Sequence, residues 1–183
     1  MNKTLVTLAA LLPAAAFAHP GHGEGSLAAG LLHPVMGWDH LLAMVAVGML
    51  AMADKEQQGW RLPLAFVAAM VAGATLGMAG LGLPAVEPVI LASMVVLGGL
   101  LATNLAGAGR GLMLLCILFG LFHGNAHGLE APASGSAMTF MAGFVLATGL
   151  LHGAGWLAAR HLHDALLRVF GFAVAGVGLL AAI

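Results

Sequence analysis

The sequence predicts an all-α, polytopic membrane protein with six transmembrane helices, and two observations carry this prediction. First, 61% of the 183 residues are hydrophobic and only 7% are charged, whereas roughly a quarter of the residues in a soluble domain are charged. Second, apolar runs follow one another with short breaks, each near the roughly 20 residues that cross the hydrocarbon core of a bilayer. Because backbone amides in lipid must be satisfied within their own segment, we expect these runs to be helices.

The first 18 residues, MNKTLVTLAALLPAAAFA, have the composition of a secretory signal peptide. Lys3 precedes a short apolar stretch, and Ala16, Phe17 and Ala18 form a small-residue cleavage site, so we predict cleavage before His19. An uncleaved first helix is the alternative. Residues 19–28 are then a short periplasmic tail that contains histidine, and residues 29–183 form the six-helix domain.

The distribution of basic residues predicts the orientation of this domain. The six apolar runs cover residues 29–52, 62–83, 86–106, 111–128, 135–159 and 165–183. All Lys and Arg residues after the signal segment fall in alternate loops: Lys55, Arg61, Arg110, Arg160 and Arg168. Loops rich in Lys and Arg face the cytoplasm, so both termini are expected outside. A signal peptide gives the same orientation independently, and the expected location is the bacterial cytoplasmic (inner) membrane.

The fourth apolar run ends with the first candidate metal-binding motif, FHGNAHGLE. His123 and His127 are four residues apart and therefore lie on one face of a helix, which Glu130 extends. Imidazole and carboxylate groups along one stripe form a surface for a divalent metal. Two histidines that only satisfy helix contacts are the alternative, but ionisable groups within a membrane are costly and usually functional.

The first run begins with a second motif, HPVMGWDH. His33 and His40 are seven residues apart and are predicted to share one helix face, with Met36 and Met44 on or near the same stripe as weaker candidate ligands. Asp39 is either a ligand or the partner that orients a ligating imidazole.

The predicted topology places the two motifs at the same depth. The first span enters from outside and the fourth span exits to the outside, so both motifs lie in the outer half of the membrane. Antiparallel packing of these helices predicts that His33 meets His127 and Glu130. It also predicts that His40 and Asp39 meet His123.

Three further histidines are weaker candidates. His19 and His22 at the predicted mature N-terminus could capture a metal ion, or could belong to a solvated tail. His152 in the fifth run could be an exit-path ligand or a proton carrier. It could equally hydrogen-bond to a neighbouring helix through the gaps at Gly149 and Gly153.

Together, HPVMGWDHLLAM and FHGNAHGLE resemble the two signature motifs of the HupE/UreJ family of small bacterial membrane proteins, and the resemblance covers essentially the whole chain. The resemblance implies a transporter of nickel, in some cases cobalt, that serves the maturation of hydrogenase and urease. It also implies the metal-site residues His33, Asp39, His40, His123, His127 and Glu130. The ligands alone suit nickel, cobalt, zinc and copper(II) equally.

The sequence contains no H-E-x-x-H motif, no phosphate-binding glycine loop and no nucleophile elbow, and it has no basic patch for nucleic acid. The HGNAH segment has the spacing of a metalloprotease helix, but Gly124 stands where the catalytic glutamate would be. We therefore expect no enzyme and no permanently bound cofactor, with a transported divalent ion and the lipid bilayer as partners and self-association left open. A non-transporting metal-binding accessory protein and an intramembrane metalloenzyme are the alternatives.

Overall fold

The computed structural model describes residues 26–53, 59–104, 109–132 and 136–183, and these residues form helices without strands. The predicted signal peptide, His19 and His22 lie outside the described residues. The described helices, in chain order, are α1 (Leu27–Met36), α2 (Trp38–Ala53), α3 (Arg61–Met78), α4 (Val86–Ala102), α5 (Gly109–Glu130), α6 (Ala137–His161) and α7 (Asp164–Ala181).

Four of these helices, α3, α5, α6 and α7, have 18 to 25 residues and are apolar enough to cross a membrane. The bent pair α1 and α2 brings the number to five if it is one span. Helix α4 is apolar but has only 17 residues, or about 25 Å at the rise of an α-helix. The described part of the chain is thus a polytopic helical assembly, and the full count of six spans stays a prediction.

The first apolar run is not one straight helix, which corrects the expectation from the sequence. The chain leaves the helix at Gly37, whose backbone is extended (φ −87°, ψ 101°), and α1 and α2 meet at 86°. Glycine in a helix interior is about 1 kcal/mol less favourable than alanine, which favours a break at this position. After the break, the Asp39 side chain accepts a hydrogen bond from the backbone N–H of His40 at 2.8 Å. His33 and His40 therefore lie on two helices and do not share one helix face.

Close backbone contact between α3 and α5 fixes the position of the FHGNAHGLE motif. A Cβ atom on Gly124 would collide with the carbonyl oxygen of Met70, and one on Gly73 would collide with that of Leu121. Small residues that allow such an approach are typical of helix packing in membranes. The absence of a side chain at Gly124, which removes the metalloprotease glutamate, thus has a structural reason.

The two ends of α5 and α6 differ in charge. Arg110 lies at the start of α5 and Arg160 at the end of α6. At the end of the molecule that carries Arg110 and Arg160, the Nε atom of Arg168 on α7 donates to the carbonyl of Ala102 on α4 at 3.0 Å. Glu130 ends α5, and it therefore lies at the end of that helix opposite Arg110.

Candidate metal centre

The four histidines of the two motifs form one continuous row where α1, α2 and α5 meet. The ring centroids of His33 and His127 are 4.7 Å apart, those of His127 and His40 are 4.3 Å apart, and those of His40 and His123 are 4.8 Å apart. Each imidazole contacts the next, and we call His33, His127, His40 and His123, in this order, the histidine row.

Glu130 joins the exposed end of the row. Its Oε2 atom lies 3.2 Å from His33 Nε2 and 3.3 Å from His127 Nδ1. Each of the three residues offers one possible ligand atom, and these three atoms all lie within 4.8 Å of one another. Ligand atoms at about 2.1 Å from a tetrahedral ion are about 3.4 Å apart, so His33, His127 and Glu130 need little movement to bind a divalent ion together.

His40 presents a free ring nitrogen because Asp39 holds the other one. The Asp39 Oδ1 atom lies 2.8 Å from His40 Nδ1, and an ionised carboxylate can only accept, so Nδ1 carries the hydrogen. The lone pair is then on Nε2, which is buried and has no hydrogen-bond partner among the described residues. A carboxylate in this position orients a metal-binding imidazole and raises its basicity.

Ser93 has the same effect on His123. The Ser93 hydroxyl donates its hydrogen to the carbonyl of Ile90 at 2.6 Å, so its oxygen can only accept from His123 Nε2, at 3.1 Å. The lone pair of His123 is therefore on Nδ1, which is buried and without a partner in the described structure. Two adjacent imidazoles thus have defined tautomers and unused lone pairs.

Solvent exposure differs between the two ends of the row. The Glu130 and His33 side chains are 58% and 36% exposed, those of His127 and His40 are 4% and 10% exposed, and His123 is completely buried. The row therefore leads from an open end at Glu130 to a closed end at His123.

Aromatic rings form the wall around the row. Phe144 contacts His127 with 4.1 Å between ring centroids, and Phe140 contacts His33 at 5.3 Å. Phe66 on α3 contacts His123 at the closed end, at 5.4 Å. These apolar contacts hold the imidazole rings and lower the local dielectric constant, which strengthens the interaction of the ligands with a cation.

Asn125 attaches this part of α5 to the segment between α3 and α4. Its Nδ2 atom donates to the carbonyls of Leu81 at 2.8 Å and Gly73 at 3.3 Å, and its Oδ1 accepts from the backbone N–H of Leu83 at 2.8 Å. Both N–H groups of this buried amide and one lone pair of its oxygen are thus used. The amide does not face the row as a ligand.

The structure brings together the six main candidates, with His33 beside His127 and Glu130 and with His40 beside His123. Asp39 contacts His40. The weaker candidates have different surroundings: Met36 is 75% exposed, whereas Met44 is completely buried in the apolar core. His152 is buried outside the row, and Gly149 and Gly153 have open space in front of them. His152 has no hydrogen-bond partner among the described residues, so the alternative of a hydrogen bond to a neighbouring helix is not formed within this part of the chain.

The sequence did not reveal the roles of Ser93, Asn125 and Phe66. Ser93 is one of several small polar residues in apolar runs, and Phe66 is one of 8 phenylalanines. Asn125 offered the clearest signal, because an amide between two histidines of a membrane span needs partners. Its partners are 42 to 52 residues away in sequence, and periodicity within one helix cannot reveal such contacts.

Comparison with known proteins matches the chain to one family. The family model described as HupE / UreJ protein matches residues 6–181. Protein HupE from Rhizobium leguminosarum bv. viciae is 42% identical over 183 residues, covering 97% of this chain and 95% of the relative. No solved structure matches the chain. Both matches extend across the whole histidine row.

Proposed function

Because the chain belongs to the HupE/UreJ family, we propose that it transports divalent nickel, or cobalt, across the bacterial inner membrane for the maturation of hydrogenase or urease. The observation that carries this proposal is the pair of free lone pairs on His40 Nε2 and His123 Nδ1. Neutral imidazole is a good ligand for nickel and cobalt, and carboxylate suits both ions as an additional ligand.

The order of the ligands supports movement of the ion along the row. The ion binds first to Glu130, His33 and His127, where the side chains are exposed. His127 also contacts His40, so it can pass the ion to His40 and His123 without releasing it to water. Because the arginines lie at the other ends of α5 and α6, the positive-inside rule supports an exposed end that faces the outside.

Uptake of radioactive nickel into proteoliposomes tests the proposal. We expect His40→Ala and His123→Ala each to lower the initial rate of nickel uptake at least roughly tenfold. Loss of a residue that only hydrogen-bonds to a metal ligand already lowers metal affinity or activity roughly 10- to 100-fold. His163→Ala is the matched control, because His163 is exposed at the start of α7. Undiminished uptake in both row variants would overturn the proposal.

Two further outcomes decide between neighbouring functions. A wild-type protein that binds nickel but does not move it into the lumen is a metal-holding accessory protein. Competition by unlabelled cobalt, zinc and copper(II) identifies the preferred ion, because nitrogen and oxygen ligands alone do not separate these metals.

A further inference from the structure

His152 on α6 is buried in a way that its own surroundings do not explain. The residue is 2% exposed, and neither ring nitrogen has a hydrogen-bond partner among the described residues. The large majority of buried side-chain polar groups have a partner, and an exception calls for an explanation such as an ion that binds there. An ionisable residue inside a membrane span is moreover usually functional.

Phe66 connects His152 to the histidine row. Its ring centroid lies 5.4 Å from that of His123 and 5.3 Å from that of His152, so the two imidazoles are separated by no more than the sum of these distances. Phe66 is itself completely buried. One aromatic side chain therefore contacts both the last histidine of the row and the isolated histidine on α6.

His152 also lies further from the exposed end than the row does. Phe144, which contacts His127, is two helical turns before His152 on α6, a distance of about 12 Å at the helical rise. The direction from Phe144 to His152 leads towards the end of α6 that carries Arg160. His152 is thus displaced from the row towards the basic end of the molecule.

The helices around His152 leave little freedom for its backbone. A Cβ atom on Gly48 of α2 would collide with the carbonyl oxygen of His152, and one on Gly155 of α6 would collide with that of Val45. The backbones of α2 and α6 are therefore in contact at this level. Such rigid elements are suitable supports for a ligand that must keep its position.

We propose that His152 is a second, inner binding station for the transported divalent cation, which reaches it from His123 past the side chain of Phe66. This inference rests on the proposed function, because it assigns the next position on the path of the same ion. Imidazole with both nitrogens uncommitted is a ligand suited to nickel or cobalt. The exposed end of the row binds the ion without any contribution from His152.

A His152→Leu variant separates transport from binding and folding. We expect the initial rate of nickel uptake into proteoliposomes to fall at least roughly tenfold. Nickel affinity at the row, measured by calorimetric titration of the purified protein, should stay within about twofold of wild type, since all row ligands remain. The Tm should be unchanged or higher, because leucine replaces a buried polar ring that has no partner.

The matched control is His161→Leu, which replaces an exposed histidine of the same helix and should leave uptake unchanged. Wild-type uptake by His152→Leu would overturn the inference alone. A loss of uptake accompanied by loss of nickel binding or by a lower Tm would also overturn it, since the role would then be structural. If the leucine variant does not fold, His152→Gln is measured instead, and full uptake by that variant overturns the inference. Failure of the wild-type protein to move nickel would overturn the proposed function itself.

Discussion

The hydroxyl of Ser93 determines which nitrogen of His123 carries a free lone pair. Because its hydrogen is donated to Ile90, the oxygen accepts the Nε2 hydrogen of His123 and leaves the lone pair on Nδ1. Asp39 has the same effect on His40. Two residues that need not touch the ion therefore prepare both imidazoles at the closed end.

This role of Ser93 predicts a specific loss. In Ser93→Ala, the His123 ring loses the acceptor that fixes its tautomer, and we expect nickel affinity to fall roughly tenfold or more. Ser93→Thr keeps the hydroxyl and should restore most of the affinity. Thr103→Ala is a matched control, because this hydroxyl, directly after the end of α4, donates to backbone carbonyls of α4 and not to a histidine among the described residues. Calorimetric titration measures the three affinities, and an unchanged value for Ser93→Ala would contradict the role.

At the scale of the elements, the 86° bend between α1 and α2 allows the row to form. On one straight helix, residues seven apart are separated by about 10 Å along the axis, and His33 and His40 would lie at well-separated depths. The bend instead places His33 and His40 on either side of His127, with ring centroids 4.7 and 4.3 Å away. The break is therefore part of the candidate site.

The contact between α3 and α5 predicts opposite effects of the same substitution at two glycines. Gly73→Ala places a Cβ atom against the backbone of α5, so we expect a loss of stability of about 1–3 kcal/mol, as for overpacking of a core. Gly149→Ala on α6 faces open space and should be neutral or stabilise by up to about 1 kcal/mol, the gain in helix propensity. Thermal unfolding in detergent compares the two variants, and equal Tm values would contradict the close contact.

At the scale of the whole molecule, the row should make transport sensitive to pH on one side of the membrane. A protonated imidazole cannot bind a metal, so protons compete with the ion at the exposed end. We expect acidification of the compartment that faces Glu130 to lower nickel uptake. Initial rates are measured in proteoliposomes at constant internal pH while the external pH is varied. Rates that stay constant or rise on acidification would contradict the proposed ligands.

Much of this molecule could be predicted from its sequence, because membrane helices are built from local patterns. Five of the six apolar runs correspond to single described helices, and α5 continues as a helix to Glu130, so His123, His127 and Glu130 lie along one face as expected. The break at Gly37 was not predicted, because residues 29–52 were treated as one span and a single glycine within a span does not by itself reveal a bend. The contacts of His123 with Ser93 and Phe66 depend on how separate helices pack, which no periodicity within one segment encodes.

The fall in exposure from Glu130 to His123 has a consequence for the choice of ion. A hydrated cation at the open end can lose its water molecules one at a time, with each replaced by a nitrogen or oxygen atom of the protein. Mg²⁺ releases water reluctantly and prefers six oxygen ligands, so it can approach Glu130 but should not follow the row to the buried imidazoles. We therefore expect the proposed path to separate transition metals from Mg²⁺ before any difference among the transition metals matters.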